Sequence, residues 1–376
     1  MSTAESLRPL VVKIGSSTLT TSESSIDYDY LQTVAAQIAR VREQGWNPVV
    51  VTSAAIACGL EALGIDKRPS DMPSLQAAAS VGESALSTAY AEAFAAHGIT
   101  TSTVLLTRRD TADRRTYLHA RDTLGRLLEL GVVPIVNEND TVSTEQIRFG
   151  DNDTLAALVA CLVEAKLVVM LSDIDGLYTA NPHFHPEAQL IPQVSVIDEE
   201  VMAVAGEAGT TVGSGGMITK VKAARVLMVA GIPMVLCNGR RPDAIVDAAA
   251  GRPVGTRFEA SEKPHEITPK KLWIALGDAA HGALSVDDGA KNALLHRGGS
   301  LLAVGVKSVE GRFEAGDIVD IKDSEGQVFA RGKTAFSSDE VALAIGRTRE
   351  ELKANSLLSS LAEKPLVHRD DLVAFE

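Results

Sequence analysis

Two hydrophobic patterns alternate along the first 258 or so residues. Short, nearly continuous β-branched runs occur at 9–15 (PLVVKIG), 48–53 (PVVVTS), 101–107 (TSTVLLT), 132–137 (VVPIVN), 166–173 (KLVVMLSD) and 232–238 (IPMVLCN). Most are apolar at successive positions, as expected for strands covered on both faces of a parallel sheet. Between them lie segments of helical period, such as 30–45 (YLQTVAAQIARVREQG) and 115–131 (RTYLHARDTLGRLLELG), which end at Gly45 and Gly131. The alternation predicts an α/β unit, a three-layer α-β-α sandwich around a mainly parallel sheet. In such sheets ligands bind beyond the carboxyl ends of the strands, so the loops that follow the strands are where chemistry is to be sought.

The pattern stops at 260–271 (ASEKPHEITPKK), which is charged and proline-bearing and lacks apolar periodicity. Residues 1–259 therefore read as one domain and 260–270 as a linker. Beyond it, LWIALG, GSLLAVGVKSVEG, DIVDIKDSEGQVFARGKTAF and EVALAIG read as short strands with glycine turns, interrupted by one helix in VDDGAKNALLHRG. Residues 271–350 are expected to form a small mostly-β barrel. The mixed pattern of 351–376 sets it apart as a C-terminal tail.

Composition narrows the function classes. The chain of 376 residues is 45% apolar and 23% charged, the profile of a globular protein, and carries a formal charge of -13. Such a balance argues against sequence-independent binding to phosphate backbones. Cys58, Cys161 and Cys237 are dispersed, each in an apolar context, and read as buried thiols of a reducing compartment. The opening MSTAESLRPL has no basic segment followed by an apolar stretch, and no apolar run approaches bilayer-spanning length. A cytoplasmic protein without membrane contact is expected.

Four loops carry candidate chemistry. The first strand delivers Lys13 into the Gly15 loop GSSTLT, and GTTVGSGGMITKVKAA (209–224) ends its glycine run with Lys220 at a helix start. Backbone N-H groups in such loops, helped by a lysine charge, can hold phosphate oxygens. Two acidic segments stand nearby in sequence: NEND (137–140) and GDND (150–153), the second leading into an apolar helix. Asp and Asn there could simply cap that helix. Neither a P-loop nor G-x-S-x-G occurs, which removes P-loop and serine-hydrolase chemistry. Two lysine-bearing glycine loops with a carboxylate-rich helix start suit phosphoryl transfer by positioning and charge neutralisation.

VVKIGSSTLT, VTSAAIACG, PIVNENDTV, FGDNDTLAALVA, LSDIDGLYTANP and GSGGMITKVKAA, in that order, resemble the amino-acid kinase family, and within it the glutamate 5-kinases. The C-terminal segment resembles a PUA domain. The resemblance implies an amino-acid kinase fold and ATP- and Mg²⁺-dependent phosphorylation of the side-chain carboxylate of L-glutamate to glutamyl 5-phosphate, the first step toward proline. It also implies feedback inhibition by proline and assembly as a homo-oligomer. Carried over by motif, Lys13 and Lys220 contact the ATP phosphates, and Asp153 orients both lysines with help from Asp151. Ser53, Asp140 and Asn152 bind glutamate, Asp140 by pairing with the ammonium. The nucleotide lies along Gly15, Ser172 and Asp173, and Ser214, Gly215, Gly216, Met217, Ile218, Thr219 and Lys220 close over its phosphates.

Other amino-acid kinases, such as acetylglutamate kinase, aspartokinase or carbamate kinase, are the alternative. Ala54 departs from the family, which usually has Gly there. His183 and His185 form an H-x-H without a Cys or carboxylate at ligand spacing, so no metal site is assigned. A PUA module invites RNA, but 271–350 holds ten Lys/Arg against twelve Asp/Glu and no aromatic stacking set, which argues against it.

Overall fold

The computed structural model describes residues 7–21, 25–107, 114–142, 152–182, 184–207, 216–261, 269–276, 280–356 and 358–375. The chain divides into two compact units, Met1–Glu266 and Ile267–Glu376.

The first unit is built on eight strands: β1 Pro9–Ile14, β2 Asn47–Val51, β3 Thr101–Leu106, β4 Val133–Glu138, β5 Leu167–Ser172, β6 Gln193–Val194, β7 Met234–Asn238 and β8 Thr256–Phe258. Their order is β3-β4-β2-β1-β5-β7-β8-β6, parallel throughout except for the β7/β8 pair. β1 and β5 are buried at every residue, which is why their sequences are apolar without alternation. The edge strand β3 is mostly half-exposed, and its Thr and Ser residues suit that position. Helices Tyr28–Glu43, Met72–Ala95, Arg114–Glu129, Asn152–Leu162 and Met217–Val229 connect the strands. The first of these is capped by the Asp27 side chain and gives way to Gly45 at positive φ.

β1 lies where the strand order reverses, with β2 on one side and β5 on the other. Such a switch point opens a crevice at the carboxyl end of the sheet. β1 pairs Lys13 with Val51 of β2 and with Met170 of β5, so Lys13, Ser53 and Ser172 all emerge at that end. Helix Ala55–Ala62 then packs tightly on helix Met72–Ala95. A Cβ on Gly59 would sit 1.7 Å from the Ala78 carbonyl oxygen, and one on Gly82 would sit 1.8 Å from that of Ala55. Only glycine permits both contacts.

The second unit holds a five-stranded sheet, ordered β10-β9-β11-β12-β13: β9 Gly282–Val286, β10 Val306–Gly311, β11 Ile318–Lys322, β12 Val328–Thr334 and β13 Val367–Ala374. Phe313, Phe329, Phe336, Ile321 and Val367 lie in its core. The helix expected in VDDGAKNALLHRG is present as Asp288–His296. Two expected strands are helices instead. LWIAL of the first lies within Pro269–Leu276, which starts with proline at its first position, and EVALAIG lies largely within Ser338–Ala344, whose capping box joins Ser337 and Glu340. In both, a short apolar run left the period undecided and the start signal decided it. Residues 351–376, set apart as a tail, contribute β13, which pairs antiparallel with β12. Among the described residues no helix is long and apolar enough to cross a membrane.

Candidate active site

Asp153 is the centre of a buried charge cluster. It is the second residue of helix Asn152–Leu162 and is fully buried. Its Oδ1 lies 2.6 Å from the Lys13 ammonium, and its Oδ2 lies 3.2 Å from that of Lys220 and accepts a 2.7 Å hydrogen bond from the Thr219 hydroxyl. Both lysines are themselves more than nine-tenths buried. Burial opposes ionisation of Asp153, but the Lys13 and Lys220 charges overcome it and hold the carboxyl below its usual range. Two cations share one anion, which leaves a net positive charge in a region poor in water.

Backbone donors face the same place. Gly15 follows β1 in extended conformation, and a Cβ there would come 3.5 Å from the Lys13 ammonium nitrogen. Gly216 is the N-cap of helix Met217–Val229 and offers no capping side chain, and the N-terminus of a helix suits an anion. Thr219 also donates to the Gly216 carbonyl, and Met217 is buried under this turn. Ile218 is half-buried beside it.

On the other side of β1 the groups are neutral or acidic. The Asn152 amide nitrogen donates toward the Thr52 carbonyl, to Ser53 Oγ at 2.9 Å and to Asn137 Oδ1 at 3.2 Å. Asn152 is thus the first helical residue, its amide turned to the strand ends. Asp151, Ser214, Gly215 and His183 lie outside the described residues. Asp140 follows β4, where burial and then the negative charges of Glu138 and Glu83 push it up to about 7, with Arg68 opposing. Among the described residues, Arg68 is the cation that acts on it.

On the β5 side of β1, Ser172 is buried at the end of β5 and its hydroxyl donates to the exposed Asp173 carboxylate at 3.1 Å. Two residues on, Asp175 lines a cleft of about 440 Å³ with Leu190, Asn238, Arg240, Arg241, Val254 and Gly255. That volume is of small-ligand size. Arg240 is fixed there by Asp27 at 2.6 Å, the Thr18 carbonyl at 2.9 Å and the face of Tyr30.

Residues 8–238 match the model of the amino acid kinase family, and residues 282–354 match the PUA domain. The chain belongs to the amino acid kinase family. Its relatives include the glutamate 5-kinase of Geobacter sulfurreducens, 44% identical over 98% of this chain and 97% of that protein. That of Methylobacillus flagellatus is 44% identical over 97% of each. That of Caldanaerobacter subterraneus is 40% identical over 98% of each.

For a member of this family, the structure brings Lys13, Asp153, Thr219 and Lys220 into one cluster and Ser53 and Asn152 into another. It adds residues that the sequence reading did not single out: Asn137, Thr52, Glu83 and the Asn238/Arg240 cleft. Asn137 stood in the NEND motif and could have been found there. Glu83 sits in a helix of no evident pattern. His185 is exposed and paired with Glu187, and among the described residues no three His, Cys, Asp or Glu side chains converge as for a metal. Burial pushes the thiols of Cys58, Cys161 and Cys237 up to about 12, which suits packing rather than nucleophilic roles.

Proposed function

We propose that this protein transfers the terminal phosphoryl group of ATP to the side-chain carboxylate of L-glutamate, giving L-glutamyl 5-phosphate, the first step of proline biosynthesis. The observation that carries this reading is the pairing of two buried lysines on one buried aspartate, at a helix start that also reaches Ser53 and Asn137. Both reactants are anions, so the catalytic problem is repulsion. A glutamate side chain is ionised near neutral pH and needs no general base. What it needs is positive charge aimed at the phosphoryl oxygens, held in place before reaction.

In this mechanism Lys13, the Gly15 loop and Lys220 with the N-terminus of its helix hold the phosphates. The residues from Ser214 to Thr219 lie against them, and Ser172 and Asp173 lie along the nucleotide, whose nucleoside end extends into the Asn238/Arg240 cleft. Asp153 is no base, because the lysines keep it ionised and engaged. It keeps two like charges from separating, and Asp151 supports it. The carboxylate oxygen of glutamate attacks the terminal phosphorus in line as the bond to the ADP oxygen breaks. Ser53 and Asn152 orient the amino acid, and Asp140 pairs with its ammonium.

Mg²⁺ accompanies ATP in this reading. Asp153 is already shared among Lys13, Lys220 and Thr219, and among the described residues no ligand cluster converges. The nucleotide's own phosphate oxygens and water would therefore hold the ion. Feedback by proline, which resembles the substrate in its α-carboxylate and amine, a homo-oligomeric state and a cytoplasmic location belong to the same reading. RNA is not a partner in it.

The test is product capture. With ATP and Mg²⁺, free L-glutamate should be consumed and hydroxylamine should trap the acyl phosphate as a hydroxamate. A preference for N-acetylglutamate, aspartate or carbamate would reject the assignment, since an acetylated amine has no use for Asp140.

A further inference from the structure

Glu83 lies on helix Met72–Ala95, half-buried, with no cation paired to it among its described contacts. Its Oε2 accepts a 2.9 Å hydrogen bond from the Asn137 amide nitrogen, and the Ser87 hydroxyl lies 3.4 Å from its Oε1. The close contact of Gly82 with the Ala55 carbonyl is what brings this part of the helix so near the strand ends. Burial raises the Glu83 carboxyl, and the hydrogen bonds from Asn137 and Ser87 counter it.

The chain of bonds beyond Glu83 has a direction. An ionised carboxylate only accepts, so it admits one orientation of the Asn137 amide: nitrogen toward Glu83, oxygen away. That oxygen then faces the Asn152 amide nitrogen at 3.2 Å. The Asn152 nitrogen is a donor here, as the Thr52 carbonyl toward which it also donates requires, and it lies 2.9 Å from Ser53 Oγ. A hydroxyl that accepts on this side keeps its single hydrogen for another partner. Reversal of the Asn137 amide would set two N-H donors against each other and leave Asn152 without its Asn137 contact, held by Thr52 and Ser53.

We propose that Glu83 is a positioning residue that fixes the orientation of the Asn137 amide and, together with the Thr52 carbonyl, the polarity of the Asn137–Asn152–Ser53 chain, and so presents the Ser53 hydroxyl as a donor to a carboxylate of the amino-acid substrate. The inference rests on the reading of this pocket as the amino-acid site. It assigns Glu83 no contact with substrate and no part in phosphoryl transfer. Its effect on how well the pocket recognises an anion is delivered through two intervening amides, separate from the push of its charge on Asp140.

The experiment compares Glu83→Met, which keeps the bulk and removes the acceptor, with Glu83→Gln, whose side-chain oxygen can still accept from Asn137. Glu83→Met should raise the KM for glutamate roughly tenfold or more, as loss of a charge-assisted bond in a buried chain does. Its kcat and its KM for ATP should stay within about twofold, and Glu83→Gln should recover most of the loss. In an Asn137→Ala background, assayed well above pH 7 where Asp140 is ionised with or without the Glu83 charge, Glu83→Met should change the KM for glutamate no further, because its route through Asn137 is gone. Equal effects on kcat and on both KM values, or an undiminished effect in the Asn137→Ala background, would overturn the inference while leaving glutamate as the substrate. Wild-type protein that does not turn over glutamate would overturn both.

Discussion

Replacing Asp153 by Asn keeps the shape of the side chain and removes its charge. Lys13 and Lys220 are 5% and 7% exposed, and Asp153 has carboxylate oxygens 2.6 and 3.2 Å from their ammonium nitrogens. The variant leaves two buried ammonium groups with no anion between them. Removing one member of a buried ion pair costs about 3–5 kcal/mol, mainly because the remaining charge is uncompensated. For a unit of this size that corresponds to a fall in melting temperature of roughly 6–20 °C. Turnover should drop at least about a hundredfold, as for loss of a preorganised electrostatic element. The same loss should make a triphosphate more stabilising, because it can replace the missing anion between the lysines. Thermal scans with and without ATP, at several nucleotide concentrations, separate this from ordinary damage. A variant that melts within about 2 °C of wild type and shows the same nucleotide-induced shift would refute the reasoning that one carboxylate holds both lysines.

The remaining predictions follow from single contacts. Asp140 is held near pH 7, and a bound ammonium favours its ionised form, so the KM for glutamate should rise as pH falls from 8 to 6, approaching tenfold per unit below 7. A flat profile would detach Asp140 from the ammonium. Without substrate the sign for stability is opposite. A carboxyl raised from 3.8 favours the fold most at low pH, and that contribution is lost as pH rises toward 7, which urea titrations at pH 5 and 8 would register against an Asp140→Asn control. Lys220→Ala should lower kcat roughly a hundredfold or more, with Lys13→Ala similar, and near-normal turnover in both would remove them from the mechanism. Ala54 sits at φ 82 and ψ 5 just before helix Ala55–Ala62. Ala54→Gly should relieve about 1–2 kcal/mol of left-handed strain against about 0.4–1 kcal/mol of added chain entropy, so the melting temperature should hold or rise. A clear fall would mean that the conformation carries no strain.

The sheet was legible because its central strands are covered on both faces, and continuous apolar runs such as PLVVKI and KLVVML arise only there or in buried helices. Lengths of about six residues and glycines at the helix ends then selected strands. The same rule misread LWIALG and EVALAIG, where Pro269 and the Ser337/Glu340 box outweighed the apolar run. In the site, Lys13, Lys220, Asn152 and Asp153 could be named because each belongs to a local motif. Glu83 could not, because its partner Asn137 is 54 residues away and nothing near Glu83 announces the contact. Gly82 is similar: its neighbours are ordinary helix formers, and only the packing of two helices against each other explains the missing side chain. Residues recruited by their surroundings leave no trace in a local pattern.

The two clusters meet in consecutive residues. On a helix, neighbours point about 100° apart, so Asn152 and Asp153 cannot serve the same pocket. Asn152 reaches Thr52, Ser53 and Asn137 at the ends of β2 and β4, and Asp153 reaches Lys13 on β1 and Lys220 on the Met217–Val229 helix. One helix start therefore fixes both clusters, the proposed amino-acid side and the proposed phosphate side, against a single element. In-line transfer requires reacting atoms about 3–3.5 Å apart, a tolerance that two independently mobile loops would not hold. On the proposed function, the Asn152–Asp153 pair is better understood as a hinge pin between binding and chemistry than as a cap. Any shift of this helix would then change carboxylate recognition and lysine placement together, coupling glutamate binding to phosphate charge neutralisation.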